Sequence, residues 1–140
     1  MALDVGQKRI GVAVTDELKI IASGLDTIPA SEIFGFLEQY IANEEVETIV
    51  IGDPRQKDNS ESPSARYIDP LVKKIKKKYP DMKVERYDER YTSKLAFRTM
   101  IESGISKKSR QNKNLIDKIS ATIILQSYMD FQQNQRSKNE

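Results

Sequence analysis

Acidic residues stand at three places in this chain where the surrounding pattern does not favour them. Asp4 interrupts the aliphatic run of residues 2–5, Asp117 falls within a helical stretch, and Asp88-Glu89-Arg90 follows directly on a short strand-like segment, residues 82–87. Alternation along a strand sets Leu3 and Val5 on one face and Ala2 with Asp4 on the other. The run at 10–14 carries Gly11 and Ala13 between Ile10, Val12 and Val14. Small residues on the face of a carboxylate leave room for an ion or a phosphate. The structural alternative for Asp4 is a hairpin acid bonded to local amides. At 100° per residue Asp117 groups with Ala121, Ile124 and Tyr128, while Lys118, Thr122 and Gln126 mark the more polar side. An inward carboxylate is costly unless something pairs with it, and Lys118 points elsewhere. Asp117 also reads as a first-turn acid behind an Asn114 cap, which explains its position along the helix but not its orientation. Asp88 and Glu89 are adjacent in extended chain and face opposite ways, so one of them enters a shared site. Acids converging from three distant segments hold magnesium or manganese, and a pair of such ions can cleave phosphodiesters without His or Cys.

That chemistry agrees with what the composition excludes. The 140 residues contain no Cys and no His, which removes disulfides, the usual zinc ligand sets, a Cys nucleophile and a Ser-His-Asp triad. Lys plus Arg number 23 against 21 Asp plus Glu, and the net charge of +2 carries little information. The distribution carries more. Lysines cluster at 73–78 and basic residues again at 107–113, with acids scattered elsewhere. No apolar run approaches the ~20 residues of a membrane span, and no secretory leader is visible, so a cytoplasmic protein is expected.

The elements that must position these acids follow from periodicity and punctuation. Residues 2–5 and 10–14 form an antiparallel hairpin across Gly6-Gln7-Lys8-Arg9, and 19–28 a third strand ended by Pro29. Ser31 caps a helix with Ile33, Leu37, Tyr40 and Ile41 on one stripe, flanked by Phe34 and Phe36. The continuous apolar run 48–51, stopped by Gly52-Asp53-Pro54, is a central strand covered on both faces. A polar loop at 54–62 precedes a helix opened by Ser62-Pro63, with Ala65, Ile68, Leu71, Val72 and Ile75 inward. Residues 82–87 are a strand weakened by Arg86. Thr92 or Ser93 opens a helix closing at Gly104, and a last helix spans 115–131. The order implies an α/β protein with a mixed five-stranded sheet, three strands antiparallel and the rest parallel, and helices on both faces. One domain at 1–131 and a polar, disordered tail at 132–140 are expected.

Four segments carry a resemblance. LDVGQKRIGVAVTD, VIGDP, DERYTSKLA and NLIDKISATIILQSYMD resemble, in order and at the usual separations, the motifs of the YqgF family, Holliday junction resolvase-like proteins of the RNase H-like fold associated with maturation of the 5′ end of pre-16S rRNA. The likeness spans residues 2 to about 130. It implies that Asp4, Glu89 and Asp117 are the catalytic acids, with Asp88 as the other candidate metal ligand in its triplet. It implies Mg2+ or Mn2+ as cofactor. Lys8 and Arg9 match the basic pair of the first motif, and Arg90 completes the third. Three departures stand out: few residues precede Asp4, Asp53 replaces an apolar residue, and Asn114 replaces a glycine.

Lys107, Lys108, Arg110 and Lys113 precede the helix of Asp117 and are expected, with Lys8, Arg9 and Arg90, to hold nucleic-acid phosphates without sequence preference. The lysine face at 73–78 reads first as a solvated surface. The leading function is a metal-dependent nuclease for structured nucleic acid, with pre-16S rRNA 5′-end maturation foremost. A Holliday junction resolvase and a non-catalytic ribosome assembly factor are the alternatives, with pre-rRNA, branched DNA or ribosomal precursor particles as partners. An actin-like ATPase would share the Asp-x-Gly hairpin but needs two such domains, about twice this length.

Overall fold

The computed structural model describes residues 1–16, 21–54, 63–89 and 113–139. The expected helix at 92–104 and the basic residues Arg90, Lys107, Lys108 and Arg110 lie outside the described residues. Five strands form one sheet in the order β3-β2-β1-β4-β5. They are β1 (Ala2–Val5), β2 (Arg9–Thr15), β3 (Ala22–Pro29), β4 (Thr48–Asp53) and β5 (Lys83–Asp88). β1, β2 and β3 pair antiparallel, whereas β4 joins β1 and β5 joins β4 in parallel. The mixed sheet expected from the sequence is the one observed.

Helix α1 (Ile33–Asn43) follows a 3₁₀ turn at Ala30–Glu32, so Ser31 lies in that turn rather than capping the helix. Pro29 is the last residue of β3 rather than its stop, because an edge strand tolerates a residue with no N–H to donate. Helix α2 (Ala65–Lys78) contains Pro70 on its exposed side, where water can bond the carbonyl left without a partner. Helix α3 (Lys113–Asn139) differs most from expectation. It runs through 132–139, where a disordered tail was expected. Good helix formers carry it on, and side-chain bonds four residues apart support it: Gln126 Nε2 donates to Asp130 at 3.1 Å and Gln132 Nε2 to the Tyr128 hydroxyl at 2.7 Å.

Two cores lie on the two faces of the sheet. On one, Leu3, Val5, Ile10, Val12, Ile49 and Ile51 pack against Ile33 and Leu37 of α1 and Ile68, Val72 and Ile75 of α2. On the other, Ala2, Ala13, Val50 and Tyr87 meet Ala121, Ile124, Leu125 and Tyr128 of α3. Alternation along each strand generates both sets at once. No described helix is long and apolar enough to cross a membrane.

Candidate functional site

Asp4 is opposite Gly11 in the β1–β2 ladder, two positions from the pair Ala2 and Ala13. These residues share the face covered by α3, as the small-residue pattern implied. The helix lies close against them: a Cβ at Gly11 would stand 2.0 Å from the Asp117 backbone oxygen. Only glycine permits that approach, and the approach brings Asp117 over the β1–β2 hairpin. Asp117 lies beyond the first turn of α3, and Asn114 is inside the helix, its carbonyl accepting from the Thr27 hydroxyl. The cap and dipole account of Asp117 therefore does not describe its position.

Glu89 comes to the same face from the β5 edge of the sheet. It follows β5, and its carboxyl lies 3.2 Å from where a Cβ on Gly52 would be, beside Ile124 of α3. Gly52 is opposite Tyr87, and Asp53 opposite Asp88. Alternation assigns Tyr87 to the α3 face and Arg86 with Asp88 to the other. Glu89, one residue past the strand, is placed on the α3 face by its approach to Gly52 beside Ile124, and the charge of Asp88 still reaches it.

The electrostatics follow from this placement. Burial, with the charge of Asp117 added, pushes the Asp4 carboxyl up to about 6. Burial and then the charges of Asp4, Asp53 and Asp88 push Glu89 up to about 7. Asp4 therefore feels the charge of Asp117, and Glu89 feels that of Asp4. Asp117 has a partner that local sequence did not reveal: Arg9 Nε donates to its Oδ2 at 2.9 Å. Arg9 lies on β2 two positions before Gly11, hence on the same face, so alternation from Gly11 was the available signal. Lys8 is exposed at the hairpin, and Lys113 begins α3.

Carboxylate oxygens are the hard donors that magnesium and manganese take, and half-buried acids each raised by a neighbouring acid's charge are the situation a dication relieves. The donor set fits such an ion in chemistry. Among the described residues no three acids are grouped closely enough to enclose one as they stand, Asp117 being engaged by Arg9.

Residues expected to be incidental also have defined places. Arg86, expected only to weaken its strand, bonds Asp53 at 3.1 Å and Asp69 of α2, tying that helix to the end of the sheet. Thr122 and Gln126, assigned to the polar side of α3, face β3: Thr122 packs at Gly24, and Gln126 accepts from the Ala22 N–H at 3.1 Å.

A family model described as RuvX, Holliday junction resolvase, matches residues 1–131, across both the sheet that carries Asp4 and Glu89 and the helix that carries Asp117. The chain belongs to the RuvX family. A protein of Flavobacterium johnsoniae is 56% identical over 129 residues, covering 92% of this chain and 94% of its own. One of Bacteroides fragilis is 53% identical over 130 residues, covering 93% and 94%, and one of Porphyromonas gingivalis 47% identical over the same coverage. All three relatives carry the name "Putative pre-16S rRNA nuclease". RuvX membership accounts for the collinear motifs, and the mixed sheet agrees with the RNase H-like architecture that the motifs implied.

Proposed function

We propose that this protein is a divalent-metal-dependent endonuclease that cleaves structured RNA, with the 5′ end of pre-16S rRNA as its substrate. The observation that carries the reading is the face shared by Asp4, Glu89 and Asp117, on which burial and mutual repulsion raise the first two acids. The names of the relatives supply the substrate class.

In this reading Asp4, Glu89 and Asp117 hold Mg2+ or Mn2+. When bound, such an ion supplies the Lewis acidity that activates water and stabilises the departing oxygen. The chain's own residues do the rest. Asp4, fixed in the central ladder, sets the distance between the sheet and the strand to be cut. In the ion-free protein Glu89 holds its proton up to about pH 7, so an arriving ion displaces that proton from the carboxyl as it binds. Lys8 at the exposed hairpin, with Arg90, Lys107, Lys108, Arg110 and Lys113, steers the phosphate backbone. Asp88 has no part in the ion site, being assigned by alternation to the opposite face.

The test is cleavage of an RNA carrying the 16S 5′ leader, beside a four-way DNA junction, each with Mg2+ and with Mn2+. Metal-dependent cut RNA that disappears with Asp4→Asn supports the reading. Cleavage of the junction alone favours a resolvase, the activity in the family description. No Asp4-dependent cleavage of either substrate leaves a binding protein that retains the fold.

A further inference from the structure

Arg9 joins the base of the β1–β2 hairpin to the helix that carries Asp117. Its Nε donates to Asp117 Oδ2 at 2.9 Å, and the two side chains are 35% and 24% exposed. Neither backbone depends on this contact. The Gly6 N–H donates to the Arg9 carbonyl at 2.9 Å and the Ala30 N–H to the Lys8 carbonyl at 2.9 Å, which pins the hairpin. Asp117 rides on a helix seated at Gly11. Both groups are thus held near one another by backbone, and the bond between their side chains can exchange without moving either element. A cation that binds the Asp117 carboxylate more strongly than the guanidinium does can therefore displace it with both elements in place.

We propose that Arg9 is an exchangeable counter-ion of Asp117. It neutralises that carboxylate while no divalent ion is present, yields it to an arriving ion, and then offers its guanidinium to a phosphate oxygen of the substrate. Planar, forked donors suit a carboxylate and a phosphate equally, which makes the exchange chemically simple. Ion loading and phosphate capture are thereby coupled through one positioning residue. The inference rests on Asp117 being an ion ligand, as the proposed function has it.

Calorimetric titration of the whole protein with Mn2+, without nucleic acid, is the test. Arg9→Gln is expected to bind Mn2+ about two- to fivefold more tightly than the parent, the factor that a partly exposed ion pair is worth. Arg9→Lys should fall between them. Lys73→Gln, which removes one charge from α2 on the far face, should match the parent. A second readout uses a non-cleavable phosphorothioate RNA: Arg9→Gln should weaken its binding in Mn2+ and leave it unchanged in EDTA, where Asp117 retains Arg9. Should Arg9→Gln fail to fold by circular dichroism, Arg9→Lys carries the same comparison. Equal or weaker Mn2+ affinity in the folded Arg9 variant overturns the counter-ion role and leaves the nuclease reading standing. Absence of Mn2+ binding by the parent overturns both.

Discussion

Against α1 and α2 the sheet presents Leu3, Val5, Ile10, Val12, Ile49 and Ile51; against α3 it presents Ala2, Gly11, Ala13, Val50 and Gly52. The first face is filled by branched aliphatic side chains. The second is shallow, so a helix backbone reaches the sheet and acidic side chains occupy the remaining space at its edge. Burying large aliphatic groups contributes ~1.5–3 kcal/mol each, which is how the first face stabilises the fold. Keeping Asp4 and Glu89 on the second face works against stability, since both carboxyls are raised by burial. One face supplies the free energy that the other spends on chemistry.

Substitutions on the two faces should separate these roles. Asp4→Asn is expected to reduce metal-dependent cleavage by about a thousandfold, ~4 kcal/mol of barrier, while the melting temperature stays level or rises. Leu37→Ala, on α1 and fully buried, should do the reverse: ~3 kcal/mol of stability lost in urea melts, with cleavage per folded molecule unchanged at low temperature. A loss of specific activity in Leu37→Ala comparable to that of Asp4→Asn would break the division between faces.

The pH dependence tests the same contrast. A carboxyl raised in the folded state holds a proton that the unfolded chain has released, so folding is favoured at low pH and loses that advantage as pH rises through the folded value. With Asp4 near 6 and Glu89 near 7, against ordinary values of 3.8 and 4.5, the ion-free protein should lose stability between about pH 4 and pH 7. The loss should amount to about 2 kcal/mol after allowance for solvent screening. Thermal melts across that range check it, and Asp4→Asn or added Mg2+ should flatten the profile.

Two glycines carry the comparison down to its smallest effect. Gly11→Ala forces a Cβ to within 2.0 Å of the Asp117 carbonyl, so α3 must shift, with about 2 kcal/mol of stability lost and activity reduced. Gly35→Ala in α1 meets nothing within 4 Å and should stabilise by ~0.5–1 kcal/mol through helix propensity. Urea melts of both, with cleavage assays of the first, compare a glycine needed for close packing with one that is not.

Much of the architecture was legible because its signals are local. The hairpin, the central strand at β4 and the stripes of α1 and α2 follow from alternation and helical spacing. Misreadings fell where a long-range contact changes the meaning of a residue. Thr122 and Gln126 are polar yet face the sheet, because β3 offers them Gly24 and a free ladder N–H at Ala22. Arg86 reads as a flaw in a strand until Asp53 and Asp69 are placed beside it. Residues 132–139 look like tail until Tyr128, Phe131 and Gln132 meet β5 and one another, Phe131 through the edge of Tyr87.

The sequence by itself determined which chemistry is available: with no His and no Cys, carboxylates are the only dense set of ligands, and their motifs name the family. It also determined that Ala2 and Asp4 share one face of β1, and Gly11 and Ala13 one face of β2, since the pleat alone does that; the ladder register then set the two pairs on the same side. Only the tertiary structure decided that Glu89 comes near enough to Asp4 to feel its charge, and that Arg9 holds Asp117 from 108 residues away. The physical reason is that charge interactions act through space. Local pattern fixes which way each side chain faces, but which charges come within a few ångströms of one another is set by how the strands order and how closely a helix can lie on glycine.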